Sequence, residues 1–311
     1  MPTLQTEVWV ADIKEKLFPS NAFQAQALDD SMFVSNRYVN LANAGNLPRV
    51  KRNRTTIPAV MTKRNDEAIN YMVHEFTSDP TPIQDIEEIE TAYNKRQSVL
   101  KGHIDMQNLK MANWCQYAWA ATQSANIIRT TGSTRAAVIP GATGNRKAIT
   151  LSDIFRAKGI LDDMDVPEEG RVMLIPAYMY NDLLAAEKTS LVNLQTTGES
   201  VVQQGEFIRL LGFQIFKRGK RNVLSYTNAG TPVPRIATNN EDEEYSTLTA
   251  ANAAVLFWHP DFVRRALGTI KVYYNEDDPT LFGSVFSTMA RAGARKAYSD
   301  ETGVVALVEE A

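Results

Sequence analysis

The chain has 311 residues, 44% of them hydrophobic and 22% charged, with a net charge of −3. This length and balance fit one elaborated globular unit or two domains with a sizeable core, and the small acidic excess excludes bulk nucleic-acid binding as a property of composition. A single cysteine, Cys115, excludes an internal disulfide framework.

Residues 1–46 read as an arm. Trp9, Ile13 and Leu17 recur every four residues among Asp12, Lys14, Glu15 and Lys16, which predicts one short amphipathic helix ending before Pro19. The acids and the lack of a continuous apolar run distinguish this start from a secretory leader. Phe23 to Val39 keeps apolar residues without a period. Trp9, Phe18, Phe23, Phe33 and Tyr38 are to be buried either by the chain's own core or by a partner.

Residues 47–80 change character. Arg49, Lys51, Arg52, Arg54, Lys63 and Arg64 sit among β-branched residues. Alternation around Arg54–Val60 and Ile69–Phe76 predicts the two limbs of a long hairpin, turning near Lys63–Glu67. Pro58 restricts the first limb to an edge or irregular strand. Neither limb carries a regular apolar face, so the hairpin is expected to project and to be stabilised by something outside it.

From Ile83 to about Tyr93 the pattern is strand-like. A helix without proline then runs to about Ala125. About 30 helical residues would span about 45 Å, far beyond the usual helix of about 11–12 residues. Leu100, Ile104, Met111, Cys115 and Ala118 share one face of this spine. Residues 127–150 read as loop. Residues 151–265 have α/β texture: a helix Leu151–Asp162 capped by Thr150 or Ser152, a buried strand Arg171–Ile175, a helix from Ala177 opened by Pro176, strands near Val201–Gly205 and Phe207–Phe216, and a buried strand Ala253–Trp258. Glu241–Glu244 reads as an acidic surface loop and Phe262–Ala266 as a short helical turn. Residues 268–311 return to strands, with an acidic turn at Glu276, Asp277 and Asp278. These last strands and Ile83–Tyr93 are expected to form one sheet beside the spine, with the α/β segment inserted.

The residues for chemistry are few. His74, His103 and His259 stand in no metal-ligand spacing. No nucleophile elbow occurs, and Cys115 lies in an apolar helical face. Gly141–Lys147 lacks phosphate-loop spacing, and Ala148 stands where a magnesium-binding hydroxyl would be needed. No apolar run reaches the roughly 18–20 residues of a membrane span. The expectation is a soluble, non-secreted, non-enzymatic chain without cofactor or metal. What it has in surplus is interaction surface. Arg52, Arg54, Lys63 and Arg64 on a projecting hairpin could meet the acidic turn Glu276–Asp278 of another copy, setting register by charge. Head-to-tail pairing of distinct patches closes into rings when the rotation permits.

The order of parts resembles the major capsid proteins of tailed bacteriophages, with the Hong Kong 97 type fold. The stretches VWVADIKEKLFPSNAF, PRVKRNRTTIPA, IEEIETAYNKRQSVLKGH, GRVMLIPAYMYNDLL and VFSTMARAGARKAYSDETGVVAL carry the resemblance, which covers nearly the whole chain. It implies an α+β capsid fold: an N-terminal arm (1–46), an extended loop (47–80), a peripheral domain holding the spine helix (81–144 and 266–311) and an inserted axial domain (145–265). It further implies hexamers and pentamers of an icosahedral shell enclosing double-stranded DNA, located in the virion and made in the bacterial host cytoplasm. Portal, scaffolding and decoration proteins would be its partners, with non-specific DNA contact and no membrane. Inter-subunit contact is expected at Trp9, Ile13, Leu17, Arg49, Lys51, Arg52, Arg54, Lys63, Arg64, Glu276, Asp277 and Asp278. Some members join subunits through a Lys–Asn isopeptide bond with a Glu as catalyst. Lys63 and Asn275 do not reproduce that pattern residue by residue. No long charged helical segment precedes the arm, so scaffolding is expected to be supplied separately or already removed. Another virion protein (portal, tail or decoration) and an α/β enzyme built on 151–265 are the alternative readings.

Overall fold

Two sheets bridged by one long helix organise the chain. The computed structural model describes residues 21–43, 50–55, 57, 58, 61, 63, 67–84, 95–186, 200–203, 206–228, 230, 232–234, 251–278 and 283–311. Mixed helix and sheet is the observed class. Three α-helices occur among the described residues: α1 (Lys95–Trp119), α2 (Leu151–Asp163) and α3 (Ala177–Ala186).

The larger sheet has eight strands. Its order is Ser200–Gln203, Glu206–Leu210, Phe213–Arg218, Val172–Pro176, Asn252–Trp258, Val304–Val308 and Ile127–Arg129, with Ser225–Tyr226 beside Asn252–Trp258. Its central strands Val172–Pro176, Asn252–Trp258 and Val304–Val308 are buried at every position, and apolar at all but Asn252, because both faces are covered. Met173, Ile175, Val255, Phe257, Val305 and Leu307 point to one face, where α2 and α3 bring Ile154, Leu161, Met179 and Leu183. Val172, Leu174, Leu256, Trp258, Val304 and Ala306 point to the other, against Cys115 and Trp119 of α1. Thr150 caps α2 through a reciprocal box with Asp153, settling the choice between Thr150 and Ser152.

The second sheet is built on two long antiparallel strands, Val263–Asp278 and Gly283–Lys296. His74–Thr77 and Thr81–Gln84 both pair with the latter, and Leu28–Asp29 runs parallel to Arg264–Arg265. The stretch of α1 up to Met111 packs here: Ile104 and Met111 meet Leu267, Ile270, Ala290 and Ala292. From Ala112 on, the helix belongs to the other core. Twenty-five residues are about 38 Å of helix, enough to serve both sheets.

Several expectations are corrected. The spine helix stops at Trp119 rather than near Ala125. Val304–Val308 does not join the sheet beside the spine; its five apolar residues are buried on both sides in the larger sheet. Pro260–Phe262 is a single 3₁₀ turn, and the helical turn expected over Phe262–Ala266 is the start of a long strand. The loop-like stretch 127–150 holds three short strands, two of them the pair Thr134–Ala136 and Asn145–Lys147. The hairpin limb expected at Arg54–Val60 is not a strand among its described residues. Glu67–Met72 pairs instead with Tyr38–Asn43, from Tyr38 opposite Met72 to Asn43 opposite Glu67. Residues 44–66 therefore connect the two limbs. Beyond Thr81–Gln84, the strand-like pattern through Tyr93 lies outside the described residues.

Candidate interaction surfaces

The hairpin is held at its base by groups that the alternation of its limbs turns inward. Val39, Tyr71 and Val73 face Ala266, and Val34 and Leu41 pack against them. The Tyr71 hydroxyl donates to Asp30 Oδ2 at 3.0 Å, and Arg264 Nη1 reaches Asp30 Oδ1 at 2.9 Å. Burial, reinforced by the Asp30 carboxylate, pushes the Tyr71 phenol well above its ordinary pKa. Gly293 leaves the room: a Cβ there would stand 3.1 Å from the Tyr71 ring and 3.2 Å from the Met72 carbonyl. Arg295 Nη1 donates to the Asn70 carbonyl at 3.0 Å. The long strands, not the spine helix, orient the hairpin.

The outward side of the same base is apolar and uncovered. Tyr38 and Met72 face each other across the two limbs, 53% and 38% exposed, next to Phe33 and Met32. In the connection between the limbs, Val50, Ile57 and Met61 are almost wholly exposed, and Lys51, Arg52, Arg54 and Lys63 are exposed as well. Arg49 and Arg64 lie outside the described residues, as do Trp9, Ile13 and Leu17 of the arm. Glu276, Asp277 and Asp278 end the strand Val263–Asp278 instead of forming a turn, and Asp278 pairs with Gly283. Of the five large residues that had to be buried, Phe23 is buried in this chain's own core, Phe33 and Tyr38 are exposed, and Trp9 and Phe18 fall outside the description.

Phe23 marks the junction of the two sheets. Its ring meets Trp119 and Trp258 edge-on at 6.2 and 6.4 Å between centroids. Both indoles find backbone acceptors, Trp119 Nε1 on Arg264 O and Trp258 Nε1 on Gln26 O. Cys115 is buried beside them, its thiol pushed up to about 12 by burial, and serves as packing.

Two buried carboxylates tie the last strand region to the rest. Glu301 accepts from the Thr122 N–H at 2.8 Å, the Gln123 N–H at 2.9 Å, the Thr122 hydroxyl and the Lys296 ammonium at 2.6 Å, just beyond the end of α1. Burial pulls its pKa up; the Gln123 N–H, Lys296 and Thr122 outweigh it and hold the carboxyl below its ordinary value. Glu309 accepts from Arg135 at 2.5 Å, from the Tyr178 hydroxyl at 3.1 Å and from the Ala253 N–H at 3.1 Å. Here burial wins and its pKa is raised.

Sequence reading missed the first hairpin limb and its anchor. The alternation Tyr38-Val39-Asn40-Leu41 was a usable signal for the limb. Nothing local announced that Asp30 would meet Arg264, 234 residues away. No group of three or more His, Cys, Asp or Glu side chains that could hold a metal occurs among the described residues. His103 bonds Thr81 Oγ1 at 3.0 Å, and the His74 ring lies against Trp114 with centroids 4.1 Å apart; burial lowers the pKa of both. Trp114 of the spine is only half-buried. Among the described residues no helix is long and apolar enough to cross a membrane.

No protein-family model matches the chain, and no curated protein does. Solved structures do. The capsid of Ralstonia phage GP4 is similar over 92% of this chain and 87% of its own, with a TM-score of 0.63 at 11% identity. The capsid structure of the cyanophage P-SCSP1u covers the same shares with a TM-score of 0.60 at 16% identity. The chain shares the fold of phage capsid structures. A structure of Mycobacterium phage Che8 adds a TM-score of 0.57 over 92% of this chain and 90% of that one, at 16% identity. At such identities the common property is the backbone architecture, conserved over nearly the full length while the side chains differ.

Proposed function

We propose that this chain is the major capsid protein of a tailed phage, a structural subunit that self-assembles into hexamers and pentamers of an icosahedral shell around double-stranded DNA. The observation that carries the reading is the fold likeness to capsid structures over 92% of the chain. It is supported by exposed apolar residues concentrated on one hairpin and its base. In this reading 1–46 is the arm, 47–80 the extended loop, 81–144 with 266–311 the peripheral domain and 145–265 the axial domain, with Val304–Val308 packed on the axial side. The exposed cations Lys51, Arg52, Arg54 and Lys63, with Arg49 and Arg64, meet the acidic strand end Glu276–Asp278 of the next copy, while Trp9, Ile13 and Leu17 pack across the same boundary. Portal, scaffolding and decoration proteins complete the particle, whose subunits are made in the host cytoplasm.

Negative-stain microscopy of the purified full-length protein under assembly conditions tests this. Polyhedral shells or mixed hexamers and pentamers are expected. A monodisperse monomer under every condition would sink the reading, and a lone twelvefold ring would replace it with a portal.

A further inference from the structure

Helix α2 buries Leu151, Asp153, Ile154, Ala157 and Leu161 against the larger sheet. At about 100° per residue, the direction opposite to these is centred on Gly159, flanked by Ser152 and Phe155, with Asp163 at the end. Three features of this outer face have no use inside the chain. A glycine within a helix costs more backbone entropy than alanine, yet a Cβ on Gly159 would meet nothing within 4 Å. Phe155, one turn earlier, leaves a large ring 48% exposed. Asp163 is exposed and, among the described residues, makes no ion pair, whereas Asp162 beside it is held by Arg171 at 2.6 Å. The last turn of α2 carries no basic residue. The Asp163 carboxylate therefore stands unopposed at the end where the helix dipole is already negative.

We propose that the outer face of α2 is a pairing surface for the same helix of a second copy, crossing antiparallel about a twofold axis. One register answers all three features. With Phe155 laid over Gly159 of the other copy, each ring covers bare helix backbone, and the symmetry makes the contact twice. The glycines let the axes approach closer than roughly 8–10 Å, the usual distance between packed helices. The same register sets Asp163 beside Ser152 and the first turn of the other copy. There the helix end is positive and the hydroxyl can donate. A parallel pair would instead set Asp163 level with Asp163 and leave the two glycines facing each other.

A different protein is the competing occupant, and the face itself argues against it. Ring, notch and the two complementary charged ends all lie on one helix of 13 residues, each the complement of another, as an isologous contact requires. The pairing surface is separate from the hairpin and its apolar base, and it does not rest on the shell reading. One pair of short helices makes a small contact, so the pairing is weak and is best read by trapping it covalently.

The test uses two single variants of the full-length protein, Phe155→Cys and Gly159→Cys, which leave the buried face of α2 and the buried Cys115 untouched. Each is oxidised alone and in an equimolar mixture, and covalent dimer is measured on non-reducing gels. The mixture is expected to give at least about fivefold more dimer than either variant alone, because a disulfide needs Cβ atoms roughly 3.5–4.5 Å apart and the antiparallel register brings 155 to 159. Adding Asp163→Arg to both variants is expected to lower that yield. Equal yields in the mixture and the single variants, or dimer confined to Phe155→Cys alone, overturns the proposal. Gly159→Ala checks that the glycine is not needed by the fold. Its unfolding midpoint is expected to rise by roughly 2 °C, and a fall overturns the proposal. The crosslink reports one pair of positions whether or not shells form. Mixed crosslinks in a protein that forms no shells keep the pairing and remove the shell reading; shells without the crosslink do the reverse.

Discussion

Glu301 pins the chain just past the spine helix from 175 residues or more away, as its carbonyl bond to Asn126 and its carboxylate bonds to Thr122 and Gln123 show. Its folded pKa is depressed, so its stabilising contribution is fully present above the unfolded Glu value of about 4.3 and is lost as pH falls through the folded value. Glu309 works in the opposite sense: its folded pKa is raised, so its contribution favours folding at low pH and is lost as pH rises through the folded value. Glu301→Gln is expected to cost about 2 kcal/mol at pH 7 by urea denaturation, in the range for hydrogen bonds to a charged group. The gap from wild type should close towards pH 3; a gap independent of pH would refute the charge argument. Gly303 makes a sharper case. It sits at φ +81°, and a Cβ would come within 2.3 Å of the Phe262 ring. Gly303→Ala should destabilise by about 3 kcal/mol or more, since left-handed strain and overpacking add, and would express largely as insoluble protein.

The hairpin shows what an element owes to its foundation. Its limbs are short, and a two-stranded ribbon is marginal in water. Tyr71, Asp30 and Arg264 fasten it to the long strands. Tyr71→Phe leaves a buried carboxylate short of one donor, at a cost of about 1–2 kcal/mol. Hydrogen exchange should quicken at Tyr38–Asn43 and Glu67–Met72 and stay unchanged in Val172–Pro176; uniform quickening would mean that the anchor serves the whole fold. The same elements show what was legible beforehand. Periodicity revealed α1, α2, α3 and the buried strands Val172–Pro176 and Asn252–Trp258, because apolar runs bounded by Thr150, Pro176 and Pro260 carry local signals. Partner choice was not legible. Val304–Val308 is apolar on both faces and would fit either sheet, and the pairing of Glu67–Met72 with Tyr38–Asn43 spans a connection whose strand-like residues were the stronger local pattern. For the interaction surface, Lys51, Arg52, Arg54 and Lys63 were found by charge alone. Exposed Met32 and Met72 were not, since nothing in an apolar residue says that no neighbour in its own chain covers it.

At the scale of the molecule, the exposed hairpin is expected to matter for assembly and not for folding. Arg52→Glu/Arg54→Glu alters two exposed side chains that touch no described core. The isolated subunit should remain soluble with an unchanged unfolding midpoint, while the yield of particles counted in micrographs falls at least about tenfold; a normal yield would defeat the charge-pairing idea. Rim charges act mainly on encounter and register, so raised salt should reduce the wild-type yield in the same direction.

The place of Val304–Val308 has a further consequence for how the molecule comes into being. This late segment lies between Asn252–Trp258 and Ile127–Arg129, strands that leave the ribosome much earlier. Until it arrives, Ile127–Arg129 has no place in the sheet, and Asn252–Trp258 offers unpaired backbone to any passing strand. Its insertion joins segments far apart in sequence, the arrangement that slows folding most. Newly made chains are thus most vulnerable to clumping in the interval before Val304–Val308 emerges.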